Sequence, residues 1–132
     1  MKDDRILIDT SVWIEYFKNR SSRLSEKVDE ILTFSSVFVP KVVIAELMQG
    51  AKTENEISVI EEFIGAFNIV DHTENTWIKA GRLSFSMKKR GLTVNLIACY
   101  IALLANENNC KIFSLDEHFK SIKNFIKIEL VI

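Results

Sequence analysis

The sequence predicts a three-layer α/β/α fold around a central parallel sheet of roughly five strands. Two observations carry this. Short apolar runs alternate with longer segments whose apolar residues recur at helical spacing. Runs without an apolar–polar alternation are strands covered on both faces, as in parallel sheets flanked by helices. With 132 residues and 48% hydrophobic content, the chain has enough apolar material for one such core.

The first run, RILID at 5–9, ends in an acid. TSVWIEYF follows, with Thr10 or Ser11 placed to cap a helix carrying Trp13, Tyr16 and Phe17. Leu24, Val28, Ile31 and Leu32 repeat at helical spacing in a second helix over 22–34. SVFVP at 36–40 is a second buried strand. Pro40 closes it and can open the next helix, KVVIAELMQGA. Thr53 and Glu56 form a capping-box pattern ahead of a fourth helix, ISVIEEFIGAF. NIV at 68–70 is a third strand. A long helix follows over 73–90, with Gly91 placed to terminate it. The next helix begins at Leu96 with Asn95 as its cap, and offers almost nothing but carbon. KIFSLD is a strand ending at Asp116, EHFKSIKNF a short helix or loop, and IKIELVI at 126–132 the last strand. No repeat or domain boundary interrupts the pattern, so 1–132 reads as a single domain.

Charges break every apolar run before it reaches the length of a membrane span. The N-terminus, MKDDRILIDTSVW, has two acids before its apolar run and no small-residue cleavage site, which makes a poor signal peptide. The expected compartment is the cytoplasm. Cys99 and Cys110 accordingly read as buried reduced thiols, and no CxxC or paired-His spacing points to zinc. His72 and His118 stand singly and read as surface or capping residues, His118 at the rim of whatever Asp116 serves. A net charge of −1 argues neither for nor against a nucleic-acid partner, which would need a local basic patch. No GxGxxG follows the first strand, so a dinucleotide-binding enzyme is disfavoured. A phosphoacceptor domain fits poorly, since Lys127 lies inside the last strand and does not close a late one.

Ligands of such sheets bind beyond the carboxyl ends of the strands, near the switch in strand order. Asp9 and Asp116 close two strands there. Alone, each is an ordinary cap or turn residue. Glu46 is the only acid in VVIAELM, and an ionised carboxylate among apolar neighbours is costly without a partner. A metal ion, a buried Arg, or water at the helix edge would each supply one. Three acids at the same end of one sheet favour the metal.

ILIDTSVWIEYF, VPKVVIAELMQGA and IACYIALLANENNCKIFSLDEHF resemble the three signature blocks of the PIN-domain nucleases. More narrowly, they resemble those of VapC-type toxins of prokaryotic toxin–antitoxin pairs. The resemblance runs in order over essentially the whole chain. It implies a PIN-like fold and an endoribonuclease dependent on Mg²⁺ or Mn²⁺, leaving a 5′-phosphate and a 3′-hydroxyl. Asp9, Glu46 and Asp116 then take the metal-binding places, directly or through water. Thr10 and Ser114 are hydroxyls suited to orienting carboxylates, and ordinary capping accounts for them as well.

One place departs from the family pattern. In the family the helix of the third block begins with an Asp followed closely by an Ile-Ala pair. Counting back from Ile101-Ala102, that Asp falls on Ala98. The catalytic set Asp9, Glu46, residue 98 and Asp116 therefore lacks its fourth acid, and the chain as written is expected to be inactive or strongly impaired. It is either a weakened natural relative or an engineered Asp→Ala form of a toxic nuclease. The intact remainder of the site favours the second. The alternative function is a nuclease-dead RNA- or protein-binding module on the same fold.

Lys18, Arg20 and Arg23 follow the first helix, and Lys88, Lys89 and Arg90 end the long one. They are candidate contacts to RNA phosphates, or solvated charges complementing a helix dipole. Trp13, Tyr16 and Phe17 form an aromatic face, partly core. The resemblance implies a VapB-type antitoxin whose tail lies in a groove beside this helix and reaches the acidic site with a basic side chain. Trp77 and Phe85 belong to the core or to a homodimer seam, and a homodimer is the expected assembly.

Overall fold

The computed structural model describes residues 4–131. Among them, β1 (Arg5–Ile8), β2 (Ser36–Pro40), β3 (Asn68–Val70), β4 (Lys111–Phe113) and β5 (Leu130–Val131) form one sheet, in the order β3-β2-β1-β4-β5. Every pairing is parallel. The connections are α1 (Thr10–Lys18), α2 (Arg23–Phe34), α3 (Lys41–Gly50), α4 (Glu54–Ile64), α5 (Thr76–Lys89), α6 (Leu96–Glu107) and α7 (His118–Ile122). The chain lays β2 and β3 on one side of β1, then crosses back to lay β4 and β5 on the other. Right-handed crossovers put α1–α4 on one face and α5–α7 on the opposite one. The helix contacts divide the same way: α1 with α2 and α3, α3 with α4, α5 with α6, and α6 with α7. Strand order reverses at β1 and β4, where a crevice opens beyond the strand ends.

The sheet is apolar because both faces are covered. Ile6, Leu7 and Ile8 of β1 are buried, and so is every residue of α6 from Ala98 to Ala105. That is the physical reason α6 carries so little polarity. Local chemistry fixes the helix ends. Ser22 Oγ accepts from Ser25 N at 3.1 Å, Thr53 Oγ1 from Glu56 N at 3.1 Å, and Asn95 Oδ1 from Ile97 N at 2.7 Å. The Glu56 carboxylate reaches back to the Lys52 N–H, completing a capping box shifted by one residue. Gly91, at φ 81°, ends α5 in a conformation that L side chains rarely adopt.

Several boundaries differ from expectation, among them α4, which starts at Glu54 and stops at Ile64, short of the expected Phe67. Asp9, and neither Thr10 nor Ser11, occupies the N-cap of α1, because those two hydroxyls are engaged with carboxylates. The long helix starts at Thr76, whose Oγ1 accepts from Thr73 N at 2.8 Å and so turns the chain before the helix begins. β4 stops at Phe113, which leaves Asp116 in a turn where its N–H donates to Ser114 Oγ at 3.0 Å. The last strand is only Leu130–Val131, so Lys127 lies outside it, its carbonyl bonded to Asn106 Nδ2 at 2.9 Å. Ile132, at the end of the expected strand, lies outside the described residues.

Of the aromatic face of α1, Trp13 and Tyr16 are core residues, while Phe17 is only partly buried. Trp13 is 2% exposed and Tyr16 1%. Trp13 stacks on Phe17 with centroids 5.9 Å apart and meets Phe63 edge-on at 5.7 Å and Phe67 at 5.4 Å. The chain itself supplies the partner, since α4 and the residues after it fold over this face. The apolar residue that α1 leaves open is Ile14, 51% exposed.

Tyr16 Oη donates to Asp29 Oδ1 at 2.6 Å and accepts from Arg20 Nη2 at 2.7 Å. The Arg20 guanidinium also lies 4.0 Å above its ring. Burial, and then the Asp29 carboxylate, push the phenol from its ordinary 10.0 up to about 12. A phenol that ionises near 10.0 when unfolded and near 12 when folded stabilises the fold fully below pH 10.0. That contribution is lost as pH rises through about 12. Urea melts across this window are expected to show stability falling with pH, and Tyr16→Phe to shallow the fall.

Candidate active site

The acids that the sequence singled out come from three elements and face one cavity. Asp9 follows β1, Glu46 lies on α3, and Asp116 sits in the turn between β4 and α7. With Thr10, Ser11, Ile14, Asn95, Ile97, Ala98, Ile101 and Phe119 they line a space of about 320 Å³. Ala98 thus presents its methyl to the same cavity as the three carboxylates. Asn95 is a cap and also part of the wall.

Each carboxylate is anchored through one oxygen. Asp9 Oδ2 accepts from Ser114 Oγ at 2.7 Å and from Ser11 Oγ at 3.0 Å. Glu46 Oε1 accepts from Thr10 Oγ1 at 2.7 Å. Asp116 Oδ1 accepts from His118 N at 2.9 Å and lies 3.1 Å from His118 Nδ1. Among the described residues, Asp9 Oδ1, Glu46 Oε2 and Asp116 Oδ2 have no hydrogen-bonding partner. Nor does any described Lys or Arg pair with these acids, so a buried Arg is not what balances Glu46. Thr10 and Ser114 do reach carboxylates. Ser11, which the sequence offered only as a cap, joins them and also accepts from Leu115 N at 3.0 Å. Its spacing of two residues from Asp9 was the available signal.

The donor set suits a hard divalent cation, whose preferred ligands are carboxylate oxygens. Among the described residues no three Asp, Glu, His or Cys side chains lie close enough to cage an ion on their own. The open oxygens around roughly 320 Å³ instead match an ion that keeps several waters, as Mg²⁺ does. Helix N-termini at Asp9 and Asn95 add partial positive charge beside the carboxylates. Ile14, Ile97, Ile101 and Phe119 form apolar walls that strengthen charge interactions inside.

The candidate phosphate-binding residues separate into two groups. Thr10 opens α1 at the cavity and Lys18 closes it, about 12 Å away along the axis. Lys18 is therefore set away from the cavity, and Arg20, beyond the helix end, is bound to Tyr16. Lys88, Lys89 and Arg90 sit at the end of α5, a few residues before Asn95.

The PIN domain model matches residues 6–124. Ribonuclease VapC1 of Methanocaldococcus jannaschii is 30% identical over 125 residues, covering 94% of this chain and 85% of the relative. Ribonuclease VapC11 of Mycobacterium tuberculosis is 26% identical over 130 residues, covering 94% and 96%. In structure, the chain is similar to the DNA-bound VapBC of Salmonella typhimurium, with a TM-score of 0.80, 20% identity and 97% of both chains covered. At that identity the structural likeness speaks for the fold alone. The family match over nearly the whole chain, and a relative 30% identical along most of its own length, settle the family: the chain belongs to the PIN-domain family.

Proposed function

We propose that the protein is a VapC-type endoribonuclease, the toxin of a type II toxin–antitoxin pair, and that its acidic cavity takes Mg²⁺ or Mn²⁺. One observation carries the reading: three carboxylates, each held by one oxygen and open at the other, face a single cavity at the switch point of the sheet. Relatives named as ribonucleases support it. Asp9, Glu46 and Asp116 would hold the ion, and an Asp at 98 would complete the set. When bound, such an ion would supply an acidified water and charge neutralisation on the phosphoryl oxygens. Thr10, Ser11 and Ser114 fix the Glu46 and Asp9 carboxylates, and the His118 N–H fixes that of Asp116, so that their open oxygens stay turned to the cavity. Ala98 in place of an acid leaves this chain impaired. A VapB-type antitoxin is its partner, the protein acts as a homodimer, and the cytoplasm is its compartment; among the described residues no helix is long and apolar enough to cross a membrane.

The second reading, a nuclease-dead binding module on the same fold, rests on Ala98 alone. Cleavage decides between them. Ala98→Asp incubated with single-stranded RNA and Mn²⁺ is expected to give fragments with 5′-phosphate and 3′-hydroxyl ends, and EDTA to stop the reaction. A variant equally inert with and without Mn²⁺ overturns the nuclease reading.

A further inference from the structure

The cavity wall holds one side-chain donor that the carboxylates do not use. No Lys, Arg or His is among the residues that line it. Its hydroxyl protons are already committed: Thr10 Oγ1 donates to Glu46 Oε1 at 2.7 Å, and Ser11 Oγ to Asp9 Oδ2 at 3.0 Å. The amide of Asn95 is left. Its Oδ1 accepts from Ile97 N at 2.7 Å. A backbone N–H can only donate, so this bond turns the oxygen to the helix and leaves the amide nitrogen on the other side. Among the described residues, Asn95 Nδ2 has no acceptor. Capping needs only the oxygen, which Ser, Thr or Asp would supply as well.

The position of this amide is set from both sides along the chain. Val94 before it is buried, and so are Ala98 and Cys99 in the turn after it. Asn95 itself is exposed while lining the cavity, which places it at the mouth. It stands one turn before residue 98, on the same side of α6. An RNA phosphate entering here meets three carboxylates. A divalent ion offsets two of those charges, so the phosphate gains from a donor of its own. A Lys or Arg in that role would pair with the acids and compete with the ion. An amide offers donors without charge, so it can bond a phosphoryl oxygen and leave the carboxylates open. The N-terminus of α6 behind it adds partial positive charge.

We infer that Asn95 is a substrate-contacting residue, whose Nδ2 donates to a phosphoryl oxygen of the RNA that enters the cavity. This rests on the ribonuclease reading and adds to it a contact from the protein to the phosphate. The cap of α6 then has two tasks within one planar group: Oδ1 holds the helix end, and that bond aims Nδ2 at the strand.

Ser and Asp each keep a capping oxygen at position 95 and remove the amide, so these two variants separate the tasks. The chain as written suits a binding assay, since little cleavage is expected of it. With Mn²⁺ present, its affinity for a fluorescein-labelled, mixed-sequence single-stranded RNA is expected to fall about tenfold in Asn95→Ser, the lower end for one hydrogen bond to a charged group. In the Ala98→Asp protein the same substitution is expected to slow cleavage about tenfold. The thermal transition without metal, and the stabilisation given by added Mn²⁺, stay as in the parent, because cap and carboxylates are retained. Asn95→Asp is expected to bind RNA and cleave it more weakly still, since it sets an added acid against the phosphate, while Mn²⁺ stabilises it at least as well. Unchanged RNA affinity in Asn95→Ser overturns the assignment. So does a loss of affinity that accompanies a lowered thermal transition in both variants, which makes Asn95 a cap only. So does a loss of cleavage matched by weaker Mn²⁺ stabilisation in the Ala98→Asp protein alone, which shows the amide serving the carboxylate at 98 and not the RNA. If the Ala98→Asp protein cleaves RNA and Asn95→Ser leaves both cleavage and binding intact, the contact fails and the nuclease reading stands. If the Ala98→Asp protein neither cleaves nor binds RNA, both fail.

Discussion

Glu46→Gln, introduced into the Ala98→Asp protein, is expected to slow RNA cleavage by about 10²- to 10³-fold, the size of losing one key electrostatic element of an active site. The substitution is chosen to leave the fold alone. Glutamine keeps the shape of the side chain and an oxygen for the Thr10 hydroxyl, which now donates to Glu46 Oε1 at 2.7 Å. What disappears is the charge and one open ligand oxygen facing the cavity. The thermal transition without metal should therefore stay close to that of the parent, while the stabilisation given by added Mn²⁺ shrinks, because an ion stabilises a fold only in proportion to how tightly it binds. Cleavage unchanged by Glu46→Gln shows that this carboxylate is not part of the chemistry. Cleavage lost together with the metal-free fold would instead place Glu46 in the framework of the protein.

Trp13→Ala is expected to cost about 3 kcal/mol of stability, toward the low end of the 3–5 kcal/mol typical of deleting a buried aromatic side chain. The ring is 2% exposed and sits among Tyr16, Phe17, Phe63 and Phe67, so its removal unpacks α1 from α4. A small apolar void of about 10 Å³ already lies there and would grow into a real cavity. Two effects set the lower value. Trp13 Nε1 is buried without a hydrogen-bond partner among the described residues, and truncation removes that unfavourable group. Phe17, Phe63 and Phe67 are only partly buried and can move inward. Total stabilities of 5–15 kcal/mol make this a large fraction of the whole. Urea denaturation at equilibrium measures it, and a loss below about 1 kcal/mol would mean that the aromatic cluster does not anchor α1.

What was legible in the sequence was whatever local chemistry decides. Ser22, Thr53 with Glu56, Asn95 and Gly91 each mark a helix end by a bond or backbone geometry made within a few residues. Short apolar runs alternating with helices gave the strands and hence the parallel sheet. The positions of Asp9, Glu46, Ala98 and Asp116 around one cavity followed from strand ends and family spacing. What was illegible depended on neighbours far along the chain. Nothing in TSVWIEYF tells that Phe63 and Phe67 will cover Trp13. Nor does KIFSLD reveal that pairing stops at Phe113, since Ser114 is drawn away by Asp9, 105 residues earlier. The same distance hid Ser11, which reads as a cap until β4 brings Ser114 and Leu115 beside it.

β1 is the first strand of the chain and the middle strand of the sheet, paired with β2 on one side and β4 on the other. During synthesis it can acquire its first neighbour early, but its second edge has no mate until residues 111–113 emerge from the ribosome. Asp116 arrives later still. The acidic cavity is therefore assembled only late in translation, and premature termination anywhere before that turn yields an incomplete sheet that lacks the third acid.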